Sequence, residues 1–309
     1  MIRYLVGRLL SAGVVIAGVA VIVFLLIHLV PGDPVEVMLG ESARPADREA
    51  LRHALGLDQP ILIQLGRYLE GIAQLDLGTS LHSKRPITDL LAERVPATFQ
   101  LAVVALLVAI TLGVPLGTLA ATRRGTGWDF ATMGVSMLGV SVPNFVMGPL
   151  LILIFSVWLG WFPVSGREGG AAIVLPALTL GTAMAAILAR MVRSSLLEVI
   201  QEDFIRTARA KGLGERRVVL AHALPNAALP VITVIGLQLG TLLGGAVITE
   251  IVFSWPGIGQ LTIEAIQRRD YPVLQACMLL ICLAYVVVNT ATDLIYAALD
   301  PRIRLEQAR

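Results

Sequence analysis

The sequence predicts an all-α polytopic membrane protein with six transmembrane helices, cytoplasmic termini, and short extracytoplasmic helices between helices one and two. Three observations carry this expectation. Hydrophobic residues make up 56% of the chain and charged residues 15%, with a mean hydropathy of +0.79, a balance foreign to soluble domains. Runs without a charged side chain recur along the whole length, each able to cross ~30 Å of hydrocarbon at about 1.5 Å per residue. Lys and Arg concentrate in alternate connections, as they do when alternate connections stay in the cytoplasm.

The first run, residues 9–31, follows Arg3 and Arg8. It exceeds a signal-peptide core and no small-x-small cleavage pattern precedes Pro31, so it reads as a retained helix. The second covers 95–122, where Pro96 is tolerated in the first turn and Pro115 kinks the helix near its end. Residues 130–166 carry no charge and are too many for one crossing. A third helix over 131–158, bent near Pro143 and followed by an interfacial or re-entrant Trp161, Phe162 and Pro163, accounts for them. The fourth, fifth and sixth spans are 171–192, 227–249 and 273–293.

Arg123 and Arg124, the Lys/Arg-rich stretch from Arg193 to Arg217, and Arg302, Arg304 and Arg309 fall on the side of the N-terminus. The positive-inside rule makes that side cytoplasmic. The connection 32–94 is then extracytoplasmic and net acidic, and it is too long for a bare loop. Ala50, Leu51, Ala54 and Leu55 stand at helical spacing within 46–57. After Pro60, so do Ile61, Leu65, Tyr68, Leu69 and Ile72. These helices would lie over the membrane face, either receiving a delivered solute or binding protein or capping the bundle.

A net charge of +2 gives no footprint for nucleic acid. No phosphate loop, dinucleotide fingerprint, catalytic triad, carboxylate pair or metal-spaced ligand set is present, so the chain carries no catalytic, cofactor or metal residues. Cys277 and Cys282 lie five apart in one apolar run, where a helix points them to different faces, away from a disulfide. His28 and His222 are solitary. Glu250 and Asp293 edge the fifth and sixth runs, where gating competes with snorkelling or a bundle ion pair. Asn144 and Gln238, at membrane depth, either line a pathway or hold helices together.

The charged island at 193–225 is more specific. Leu197, Ile200, Phe204 and Ala208 make one apolar stripe over 196–210, with Glu198, Glu202, Arg206 and Arg209 elsewhere around the helix. Gly212 supplies a left-handed C-cap, and Glu215 opens a second short helix that Pro225 interrupts. Such an element either lies flat on lipid or projects as a lever into a partner. The glycine corner favours the lever.

Arg206, Thr207 and Ala208, then Gly212, then His222, Leu224 and Pro225 after nine intervening residues, resemble the EAA loop of binding-protein-dependent ABC importer permeases. Arg206, Thr207 and His222 depart from the general pattern in the manner of its peptide and nickel branch. Further segments resemble the B-type subunits of dipeptide, oligopeptide and nickel transport systems. These are Val30 to Pro34; Gly71, Gln74, Asp76, Gly78 and Ser80; Arg94, Pro96 and Thr98; Glu250 to Gly259; Arg269 to Pro272; and Asp293 to Arg302.

The resemblance implies a coupling helix that fits a groove on a cytoplasmic ATPase, with Phe204, Arg206, Thr207, Ala208, Gly212, Leu224 and Pro225 as the coupling residues. It implies a second homologous permease, two ABC ATPase subunits that hold the ATP and Mg, an extracytoplasmic solute-binding protein, and alternating access in the bacterial inner membrane. Glu250, Pro256, Gly257 and Gly259 would shape the outer mouth. The implied cargo is a dipeptide or short oligopeptide, with nickel or glutathione as alternatives on the same scaffold. An ion-coupled secondary transporter would need a mid-span carboxylate, which the charge-free centres of the runs do not offer.

Overall fold

The computed structural model describes residues 2–29, 35, 39, 44–54 and 56–299. Among them the regular structure is helical, with one isolated extended bridge between Thr79 and Pro86. In order the helices are α1 (Ile2–Leu29), α2 (Pro45–Ala54), α3 (Ile61–Ala73), α4 (Ile87–Thr122), α5 (Gly127–Ser141) and α6 (Asn144–Leu151), which continues as a π-helical segment Ile152–Trp158. There follow α7 (Val174–Val199), α8 (Asp203–Ala210), a single turn Glu215–Arg217, a π-helical segment Val218–Ala223, α9 (Leu224–Val252), α10 (Ile258–Gln267) and α11 (Tyr271–Leu299). Val30 to Pro34, Asp300, Pro301 and the basic tail Arg302, Arg304 and Arg309 lie outside the described residues.

Six crossings is corrected to four. Among the described residues, Ile87–Thr122, Val174–Val199, Glu215–Gly240 and Tyr271–Leu294 are long and apolar enough to span, with a fifth if the bent pair α5 and α6 counts as one. In α1 the apolar stretch among the described residues is Leu10–Leu25. The third run is not one rod, and for a physical reason. Pro143 has no amide to donate and forces the residue before it out of the α region, so Val142 is extended (φ −86°, ψ 115°). The axis turns by 103° there.

The chain divides into two compact units, Met1–Ala97 with Pro256–Val286, and Thr98–Trp255 with Val287–Arg309. The first is organised around Ile87 and Leu91 of α4, Ile258, Leu261 and Ala265 of α10, and Val273, Ala276 and Cys277 of α11. A tight turn precedes α4: the Ser80 amide donates to Arg85 O (2.9 Å) and the Ile87 amide to Gly78 O (3.0 Å). The Phe24 and Tyr68 rings meet at 5.6 Å between α1 and α3.

In the second unit α7 is the central helix, packed against α9, α5 and α6. It also meets α4 at very close range. A Cβ at Gly117 would stand 2.5 Å from Ala189 O, and one at Gly181 2.7 Å from Ala105 O. Small residues let these two backbones touch, a packing mode suited to helices that cannot rely on the hydrophobic effect within lipid.

Candidate functional site

α8 is positioned by a break in the chain. α7 ends at Val199, and the Gln201 and Glu202 amides close back onto Glu198 O and Val199 O at 3.2 and 3.1 Å. Glu202 is extended (φ −68°, ψ 149°) before α8 begins, with Asp203 in its first turn and Arg209 in its last, charges that complement the helix dipole. The stripe expected over 197–208 is therefore divided between two helices. Leu197 and Ile200 pack against the core beneath, Ile205 and Ala208 are buried in it, and Phe204 is 44% exposed. That core joins Ala121 of α4, Leu196 of α7, Val218, Val219 and Ala223 of the π-helical segment, and Ala227 of α9.

The outward face of α8 carries Phe204, Arg206 and Thr207, all exposed, whereas Ala208 faces inward. Arg206 pairs loosely with Asp203 (3.3 Å) and the Thr207 hydroxyl donates to Asp203 O (3.0 Å). Behind them Gly212 adopts φ +78°, a left-handed conformation natural to glycine. Its amide donates to Arg209 O at 2.9 Å. A strap closes the corner: Arg209 donates from Nε and Nη2 to the two oxygens of Glu215 (3.0 and 2.6 Å). That hydrogen bond holds the Arg209 guanidinium above its ordinary pKa.

Pro225 does not interrupt a helix here; it stands at the start of α9, directly after the π-helical turn. The missing amide and the ring clash with the carbonyl four residues earlier, at Ala221, make the wider π spacing the natural relief. The Asn226 side chain donates to His222 O (2.7 Å). Leu224 is half-buried and Pro225 exposed.

At the other end of α9, Glu250 is fully buried and accepts a hydrogen bond from the Thr98 hydroxyl (2.7 Å). Its carbonyl takes the Trp255 amide (2.7 Å). The chain reverses through Ser254 at φ +48°, and Phe253 and Trp255 are buried. Arg167 covers the Trp255 ring at 5.8 Å and donates to Gln100 Oε1 (2.9 Å), while the Gly166 amide donates to Phe253 O (2.9 Å). Pro256, Gly257 and Gly259 belong to the other unit, where extended Gly257 precedes α10. Asn144 opens α6 and Gln238 lies midway along α9; both are half-buried.

Three polar contacts have no counterpart in any sequence pattern. Asp129 of α5 holds Arg193 of α7 in a two-point ion pair, Nε to Oδ1 at 2.7 Å and Nη2 to Oδ2 at 2.8 Å. Asp270 binds the Ser80 turn, and Arg167 caps Trp255. No spacing rule connects partners so far apart. Among the described residues no group of three or more His, Cys, Asp or Glu could hold a metal ion.

Two family models match the chain. Binding-protein-dependent transport system inner membrane component covers residues 113–305, and its N-terminal companion covers 1–102. Among curated proteins, the glutathione transport system permease protein GsiC of Pectobacterium atrosepticum is 46% identical over 98% of this chain and 99% of its own length. The protein of the same name from Escherichia coli is 43% identical over the same shares. Among solved structures, an inward-facing MetNI methionine ABC transporter chain gives a TM-score of 0.57 at 24% identity, over 69% of this chain and 97% of that one. An amino acid ABC transporter chain gives 0.55 at 13%, over 68% and 94%. These two likenesses concern the fold alone.

Proposed function

Since the chain belongs to the binding-protein-dependent inner membrane components, as an ABC-importer permease subunit of the peptide, nickel and glutathione branch, we propose that it forms, with a second permease, the pathway for ATP-driven import of glutathione. It is a multi-pass protein of the bacterial inner membrane and a transport subunit, not an enzyme. The observation that carries the cargo is near end-to-end identity of 43–46% with permeases named for glutathione transport. Glutathione is itself a short peptide, so the peptide character implied by the sequence motifs is kept.

Two ABC ATPases on the cytoplasmic side supply the ATP and Mg site, and an extracytoplasmic solute-binding protein delivers cargo near the 32–94 connection. α8 is the surface through which the ATPases act. Phe204, half exposed on a helix whose opposite face is anchored in the core, fits an apolar groove, with Arg206 and Thr207 setting register beside it. Ala208 and Ile205 serve the same surface from behind by fixing it to α7 and α9. Gly212, Leu224 and Pro225 shape the return of the chain. Closure of the ATPase pair shifts the population between inward- and outward-facing arrangements by binding one more tightly than the other. Glu250, at its buried bond to Thr98, is assigned to the outer mouth; Pro256, Gly257 and Gly259 are assigned the same role from their own unit, and Asn144 and Gln238 are assigned to the pathway.

Uptake into proteoliposomes containing this chain, the second permease, the ATPases and the binding protein tests the cargo. Labelled glutathione, a labelled dipeptide and nickel are offered separately. ATP-dependent accumulation of glutathione supports the proposal; accumulation of dipeptide or nickel without glutathione keeps the permease and replaces the cargo.

A further inference from the structure

We propose that Asp129 and Arg193 are positioning residues for transport, tying the bent arm α5–α6 to the end of α7 that carries the coupling helix, so that movement of α8 reaches the Phe253–Trp255 loop. The inference rests on the coupling reading of α8.

The ion pair is built for direction. Arg193 engages both Asp129 oxygens at 2.7 and 2.8 Å, and the Gly125 amide donates to Oδ2 at 3.0 Å. The carboxylate, only 4% exposed, is thus held from α7 and from the α4–α5 turn together. A two-point guanidinium–carboxylate contact fixes orientation as well as distance.

Its location matters as much as its strength. Arg193 lies less than two turns before the end of α7 at Val199. The buried core beneath α8 draws residues from α4, α7, α8, the π-helical segment and α9, and none from α5 or α6. Apolar packing there binds α8 to α7 and α9 and leaves α5 outside. Farther along, α5 meets α7 through small groups, with the Cβ position of Gly139 3.3 Å from Ala186 Cβ. Such a smooth contact permits sliding, so the ion pair sets the register of the arm.

The arm's other end bears on the candidate gate. Beyond the 103° elbow, a Cβ at Gly148 of α6 would stand 3.0 Å from Val252 Cγ1 and 3.2 Å from Phe253 Cε2. Phe253 and Trp255 are the buried side chains of the loop that folds back on Glu250. A continuous chain of contacts therefore runs from α8 through Arg193, Asp129, the Pro143 elbow and Gly148 to that loop.

The test uses the complete complex in proteoliposomes and reads cargo accumulated per ATP hydrolysed. Labelled glutathione or a labelled dipeptide serves as probe, whichever the parent accumulates, so a wrong cargo does not enter the outcome. Asp129→Asn keeps an acceptor for the Gly125 amide and removes the charge; Arg193→Lys keeps the charge and loses the two-point contact. Both should assemble and hydrolyse ATP within about twofold of the parent, with uptake per ATP lowered about tenfold. The exchange of Asp129→Arg with Arg193→Asp should recover part of that loss. Unchanged uptake per ATP in both variants overturns the proposal, as does a fall in hydrolysis and uptake that leaves their ratio intact. If Asp129→Asn fails to assemble, Arg193→Lys alone decides on the same criterion. Phe204→Asp is measured in parallel. If it too leaves the ratio unchanged, the coupling reading of α8 fails; if it uncouples while the other variants do not, only the positioning pair fails.

Discussion

Ser80 donates its hydroxyl to Asp270 Oδ2 at 2.5 Å, joining residues 190 positions apart. The same carboxylate accepts the Leu81 and His82 amides at 3.1 and 3.2 Å, so one buried acid organises the whole turn before α4. Both residues lie in segments that resemble the importer family, and the bond gives their co-occurrence a physical cause: the turn and the start of α11 are one folding unit.

Asp270→Ala leaves the Leu81 and His82 amides without their acceptor. The expected cost is about 2–3 kcal/mol, against about 1–2 kcal/mol for Ser80→Ala, which removes one donor to the acid and the acceptor of the Ser83 amide (2.9 Å). Thermal unfolding of the purified subunit should rank parent, Ser80→Ala and Asp270→Ala in falling order. Equal midpoints for parent and Asp270→Ala would contradict this role.

Ile205 and Phe204 are neighbours with opposite burdens. Ile205 is completely buried while Phe204 is 44% exposed. Ile205→Asp places a charge in an apolar core and should cost more than ~3 kcal/mol, appearing as loss of folded subunit from detergent extracts. Phe204→Asp should change stability by under about 0.5 kcal/mol. A comparable loss of folded protein in the two would show that the face assignments of α8 are reversed.

Gly117 allows α4 to approach α7. Alanine there would bring Cβ to 2.5 Å from Ala189 O, an overpacking expected to cost about 1–3 kcal/mol. Gly134 of α5 has nothing within 4 Å of its Cβ position, and alanine there should be neutral or slightly stabilising through helix propensity. Unfolding midpoints of the two variants, measured in the same detergent, check the contrast.

Gly212→Ala forces a side chain into a conformation at φ +78° and should cost ~1 kcal/mol. Glu215→Gln removes the charge from a half-exposed strap, so its effect on stability should stay below about 1 kcal/mol. If Gly212 shapes the coupling corner, Gly212→Ala lowers uptake per ATP more than Glu215→Gln does. The reverse order would assign the corner to the strap rather than to the glycine.

Composition and apolar run length made the all-α membrane character readable, because lipid leaves the backbone few other ways to satisfy its hydrogen bonds. The number of crossings was not readable by the same route. Pro143 announces a bend, but whether a bent helix crosses or turns through 103° depends on what packs beyond the elbow. The division of the 197–208 stripe was hidden for a related reason. No glycine or proline marks residues 200–202, and once the helix breaks there the register shifts by enough to bury Ile205 and expose Phe204. Gly212 was readable because a positive φ has a residue preference. Asp129 with Arg193, Thr98 with Glu250 and Ser80 with Asp270 were not, since only the tertiary fold brings such distant side chains together.

The most direct test is the stimulation of ATP hydrolysis by glutathione and its binding protein in the reconstituted complex, compared between the parent chain and Phe204→Asp. Stimulation is expected in the parent, and its loss in a Phe204→Asp complex that still assembles. Stimulation undiminished in that variant would contradict α8 as the surface through which the ATPases drive the pathway.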